Sequence, residues 1–252
     1  MEKDISEQFW NASLEQFKRG YLEEENSFIC LLCGKQLAKG IVYAEEGVLY
    51  EAERYMRVHI EQVHGSVFDY LINLDKKLIG LTEHQKGLMH LFYQGKSDSE
   101  VQAAMGIGSA STIRNHRFVL KEKERQAKVF LAMMELLKEK DKYAPAFISP
   151  HKTAAMVDDR YNITEQEKAI IIKKHFPAGL EGPLKTIPVR EKPKVVVLRE
   201  LLRYFEPEQT YTEAEINRIL GNVYEDYASL RRHLIEYGFL DRNADGSKYW
   251  VK

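Results

Sequence analysis

The chain has 252 residues, 44% hydrophobic and 30% charged, with a formal net charge of -1. That length holds two or three small domains, and the composition excludes both a disordered chain and a uniformly basic nucleic-acid coat. No run nears the roughly 18 apolar residues of a membrane span, and the opening MEKDISEQFW lacks the basic-then-apolar order of a secretion signal, so a cytoplasmic protein without a membrane partner is expected.

In chain order, Phe9, Trp10, Leu14 and Phe17 recur at helical spacing and predict an amphipathic helix within residues 1–27, ending near Gly20. FICLLCGKQL, residues 28–37, then carries the only two cysteines of the sequence. IVYAEEGVLY, residues 41–50, predicts a strand pair turning at its Glu-Gly junction. From Glu51 the pattern is helical through His64 and stops at Gly65.

Two cysteines build no disulfide framework, and a close pair in a reducing compartment points to metal binding or catalysis. Cys30 and Cys33, followed by His59 and His64, read C-x2-C, 25 residues, H-x4-H. Structural zinc takes about four such ligands, and a filled sphere leaves no catalytic position, so the expectation is a structural zinc that folds a segment too small to bury its own core. Residues five apart stand about 140° apart around a helix, so its last turn is expected to loosen or tighten, which Gly65 tolerates. The bland alternative is two buried thiols and two unrelated surface histidines. A redox pair would want a strand-then-helix setting. A deaminase-like hydrolase would use His59-Ile60-Glu61 with the cysteines, but the order is reversed and no proline precedes the pair.

Residues 81–142 read as several helices, the last one long. Thr82 caps the first, which turns Leu88, Leu91 and Phe92 inward and ends at Gly95. Ser97 and Glu100 make a capping box for the second, which presents Val101, Ala104 and Met105. A third starts near Ser109 to Ser111, with Ile113 inward and Arg114, Asn115, Arg117 and Lys121 elsewhere. A helix with polar and basic residues in its first turns suits the major groove. Through LTEHQ at 81–85, GKSDSEV at 95–101 and STIRNH at 111–116, the stretch resembles the helix-turn-helix of LuxR-type regulators and the related promoter-reading region of sigma factors. The resemblance implies double-stranded DNA as partner, contacted by residues among Ser109, Ser111, Thr112, Arg114, Asn115, Arg117, Lys121 and Lys123. Beyond Lys121 the pattern runs on to about Lys140, and its apolar stripe of Val129, Phe130, Met133, Met134 and Leu137 serves either core packing or a homodimer.

Residues 143–193 hold six of the seven prolines and read as connecting, with one helical stretch near TEQEKAIIIKKHF. Residues 194–252 read as three helices and a hairpin at Asn-Ala-Asp-Gly, the order of a winged helix. YTEAEIN at 211–217, the spaced pattern from Asp226 to Gly238 and DGSKYW at 245–250 resemble an uncharacterised bacterial domain that closes proteins assigned as transcriptional regulators. Arg231 and Arg232 lie on the helix that would enter a groove, with Arg242 and Lys248 beside the wing. One of the two arginines is expected to lock the fold by pairing with Asp226 or Glu225, and the other to be exposed.

The expected fold is therefore α+β, mainly helical with small hairpins. Its parts are an N-terminal helix plus zinc segment (1–66), a helix-turn-helix domain (67–142), a connecting segment (143–193) and a winged-helix-like domain (194–252). The expected function is DNA-binding transcription regulation without enzymatic activity. A zinc-dependent hydrolase and a non-DNA-binding interaction or sensor protein are the alternatives.

Overall fold

The structure is a computed structural model that describes residues 5–154, 158–206 and 209–252. The chain divides into two compact units, one formed by the residues up to 78 together with those from 146 onward, the other by residues 79–145.

The single N-terminal helix expected from the sequence is two short ones, α1 (Ile5–Asn11) and α2 (Leu14–Arg19); residues 1–4 of that expectation lie outside the described residues. Ser13 causes the break. Its side chain accepts from the Gln16 amide while the Gln16 side chain accepts from the Ser13 amide, a capping box that restarts the helix and leaves Leu14 in solvent. Gly20 closes α2 at φ 81°, and a Cβ there would lie 2.6 Å from Val67 Cγ2, so both conformation and space demand glycine.

Strands β1 (Tyr21–Glu23), β2 (Ser27–Cys30) and β3 (Gln36–Ala38) form an antiparallel sheet in that order. Strands β4 (Val42–Glu45) and β5 (Val48–Glu51) form the anticipated hairpin, with Glu46 at φ 48° and Gly47 at φ 79°, the left-handed pair that matches strand twist. Helix α3 (Ala52–His64) lays Met56 and Ile60 into a core with Phe9, Tyr21, Leu31 and Leu37. Helices α4 (Val67–Ile72) and α5 (Lys76–Ile79) follow.

In the unit of residues 79–145, α6 (Glu83–Tyr93), α7 (Asp98–Met105) and α8 (Ala110–Lys140) meet at Leu88, Val101 and Ile113, all fully buried. Thr82 and Ser97 cap α6 and α7 with reciprocal boxes, Gly106 ends α7 at φ 65°, and Ser109 caps α8. Ala104 faces solvent. From Lys123 to Lys140 every residue of α8 is exposed.

The first unit resumes with a 3₁₀ turn at Asp159–Tyr161, α9 (Glu165–His175) behind a Thr164–Glu167 box, α10 (Glu191–Leu201) and a second 3₁₀ turn at Leu202–Tyr204. Strand β6 (Thr210–Tyr211), α11 (Glu213–Gly221), α12 (Tyr227–Glu236), β7 (Leu240–Arg242) and β8 (Tyr249–Val251) complete it, with strand order β6-β8-β7. Its core joins Val195 to Leu198, Ile216, Leu230, Leu234, Phe239 and Tyr249 to Ile148, Ala154, Tyr161 and Ile163 of the proline-rich stretch. The fold is α+β, predominantly helical with small antiparallel sheets. No described helix is long and apolar enough to cross a membrane.

Candidate metal centre

The cysteine turn is a tight knuckle at the end of β2. Gly34 N–H donates to the Cys30 carbonyl at 2.8 Å and Cys30 N–H to the Lys35 carbonyl at 2.8 Å, with Gly34 at φ 90°. This curls the chain around the two sulfurs. Helix α3 lies across the sheet and supplies the other two donors. It stays regular to His64 and ends at Gly65, so the expected irregularity falls one residue after the ligand. His59 and His64 meet edge to face, ring centroids 5.3 Å apart at 88°.

The four donor atoms of Cys30, Cys33, His59 and His64 all lie within 4.8 Å of one another. Cys33 Sγ stands 3.2 Å from His59 Nε2, and Cys30 Sγ stands 3.8 Å from His64 Nε2. A tetrahedral zinc with S and N arms of 2.0–2.3 Å requires edges of about 3.3 to 3.8 Å, so these two pairs already stand near tetrahedral edges. Cys30 and His59 are buried, while Cys33 and His64 are half-buried. The donors form a group that could hold a metal ion, and their chemistry is compatible with zinc.

The electrostatics favour ligating thiolates. The Cys30 thiol is held far below its ordinary range, first by a hydrogen bond with Cys33 and then by the two imidazoles, against the opposing effect of burial. Tyr70, edge-on to His64 at 5.8 Å, has its phenol pushed up by burial and by the negative sulfurs. Glu61, the carboxylate that a deaminase-like reading needs, is solvent-exposed two residues past His59 and outside the cluster.

One neighbour of the centre, Lys152, carried no sequence signal, because it comes from a distant part of the chain. Buried Lys152 donates to the Leu31 carbonyl at 3.4 Å and to the Leu32 carbonyl, with its ammonium 5.7 Å from the Tyr70 ring. Trp10 Nε1 donates to the Pro150 carbonyl at 2.7 Å.

The residues expected to face DNA lie at the start of α8. Ser109, Ser111 and Thr112 hydroxyls cluster within 2.9 Å contacts at the N-cap. Arg114 and Asn115 are exposed. Arg117 is held by Asp98, with Nε at 3.0 Å and Nη2 at 2.9 Å from one carboxylate oxygen, and its guanidinium lies 3.7 Å from the centre of the Phe92 ring. Lys121 pairs with Glu124 at 2.6 Å, and Lys123 reaches the Gly80 carbonyl at 3.5 Å.

On α12, Arg231 is the structural arginine, but its partners are Glu213, at 2.7 Å, and Asn217 rather than Asp226 or Glu225. Asp226 is engaged as the N-cap of α12, receiving the Ser229 amide. Arg232, Arg242 and Lys248 are exposed.

Residues 183–251 match a family described as an uncharacterized protein conserved in bacteria, DUF2087. That stretch contains YTEAEIN at 211–217 and DGSKYW at 245–250, whose pattern resembles an uncharacterised bacterial domain. Neither a curated protein nor a solved structure matches the chain.

Proposed function

We propose that the chain is a cytoplasmic, sequence-specific DNA-binding transcription regulator, with a central helix-turn-helix as reader and a structural zinc ion in its N-terminal segment. One observation carries the DNA reading. Ile113 is fully buried against α6 and α7 while Ser111, Arg114 and Asn115 on the same turns are exposed. A helix anchored by one face and offering polar and basic groups on the other at its first turns suits the major groove. Arg114, Arg117 and the lysines supply phosphate contacts and salt dependence, and the polar residues supply selectivity. The Arg117–Asp98 pair is solvent-exposed, so exchanging the carboxylate for a phosphate costs little.

Arg114→Ala with Arg117→Ala is expected to weaken binding to all duplexes and to lower the slope of log affinity against log salt by about 2. Binding of unchanged strength in fluorescence anisotropy rejects the assignment. Selection from random duplex DNA then identifies the operator.

For the metal, two thiolates and two imidazoles would hold zinc in a closed sphere, where it supplies folding energy and no open position for a substrate. In the C-terminal domain, α10, α11 and α12 followed by β7 and β8 have the order of a winged helix. Arg232, Arg242 and Lys248 are exposed cations of this domain and would form a second nucleic-acid or partner surface. The competing reading, an interaction protein that reads no sequence, draws support from the engagement of Arg117 by Asp98. A gel shift against duplex upstream of the protein's own gene separates the two.

A further inference from the structure

We propose that the C-terminal half of α8 is a dimerisation surface that pairs with the same half of a second copy. Val129, Phe130, Leu131, Met133, Met134, Leu136 and Leu137 are 37% to 62% exposed. At 100° per residue all but Leu131 fall within an arc of about 160°, a single broad apolar face. The three ion pairs along this part of the helix, Lys121–Glu124, Arg125–Glu122 and Lys138–Glu135, join residues three apart and support the helix only weakly. Helices in proteins owe most of their stability to packing of an apolar face.

The area indicates the kind of partner. With roughly 200 Å² per fully open large side chain, the six on this face at about half exposure amount to about 600 Å². That exceeds the few hundred Å² of contiguous apolar surface usual on a monomer and approaches the ~800 Å² per partner of a standard interface. A face of this kind needs cover in every folded molecule, and a second copy is always present in equal amount. A two-fold axis makes one patch complementary to itself.

The inference is independent of the DNA reading, because it is tested on the full metal-loaded chain with no DNA present. Sedimentation equilibrium across about 1 to 100 µM is expected to give a dimer. Met133→Lys with Leu137→Lys is expected to weaken it at least about 100-fold, as loss of central apolar anchors does. Both side chains are exposed in the single chain, so circular dichroism and melting of the packed regions report an intact fold. A wild-type monomer throughout that range, or a dimer indifferent to the double lysine change, overturns the proposal.

Discussion

His59 donates to the candidate centre from the buried side of α3, where no water can replace it, whereas His64 does so from the helix end. The two histidines therefore differ in what their loss does. His59→Ala is expected to reduce zinc affinity by more than the 10- to 100-fold typical of losing a partner of a ligand, and to unfold the N-terminal segment. Metal content by mass spectrometry and far-ultraviolet circular dichroism measure both effects. Chelation of the wild-type protein is expected to produce the same loss of structure. Retention of full helix and sheet content without metal rejects the structural role. All four donors were legible from spacing and residue type, because a knuckle and a helix end both announce themselves locally. Lys152 was not legible, because what makes it a neighbour of the centre is a contact across 120 residues.

Helix starts are the elements that sequence conveys best, since a cap is a bond between residues three apart. Thr82, Ser97 and Thr212 all cap where Ser or Thr precedes Glu or Gln by three. The same rule applied to Ser13 and Gln16 divides the N-terminal helix, a division that the apolar spacing of Phe9, Trp10, Leu14 and Phe17 concealed. The strands β1 and β3 are three residues long, too short for alternation to register. In the helical unit the core is small, so single residues matter. Ile113→Ala is expected to destabilise it by about 2 to 4 kcal/mol, because three fully buried side chains leave little to fill the cavity. Ser97→Ala, which removes only a cap, is expected to cost about 1 kcal/mol. Chemical denaturation followed by circular dichroism ranks them, and the reverse order rejects the proposed core.

In the unit that joins the two ends of the chain, residues 149–153 act as a strap. Trp10 and Lys152 fasten it to the candidate metal segment. Arg199 donates to the Ser149 carbonyl at 2.6 Å, His151 stacks on Phe239 at 3.9 Å and meets the Tyr237 carbonyl at 2.9 Å, and Thr153 donates to the Gly238 carbonyl at 2.8 Å. One short segment thus contacts both the cysteine knuckle and the C-terminal core, so their stabilities are coupled. Lys152→Met keeps the length of the side chain but leaves the Leu31 and Leu32 carbonyls without this donor. A loss of about 1 to 3 kcal/mol is expected, together with separation of one calorimetric unfolding transition of this unit into two. A single transition at the wild-type temperature rejects the coupling.

By itself the sequence determined the donor set of Cys30, Cys33, His59 and His64, the capped helices around Leu88, Val101 and Ile113, and the closing hairpin. Each rests on residue types at fixed short spacing, which backbone geometry converts directly into structure. Only the tertiary structure decided that Arg117 meets Asp98, that Arg231 meets Glu213 and Asn217, and that apolar residues of a proline-rich stretch read as connecting belong to the C-terminal core. A side chain with several acids or carbonyls within reach takes the partner that packing brings close, and packing is a property of the whole chain rather than of any window of it.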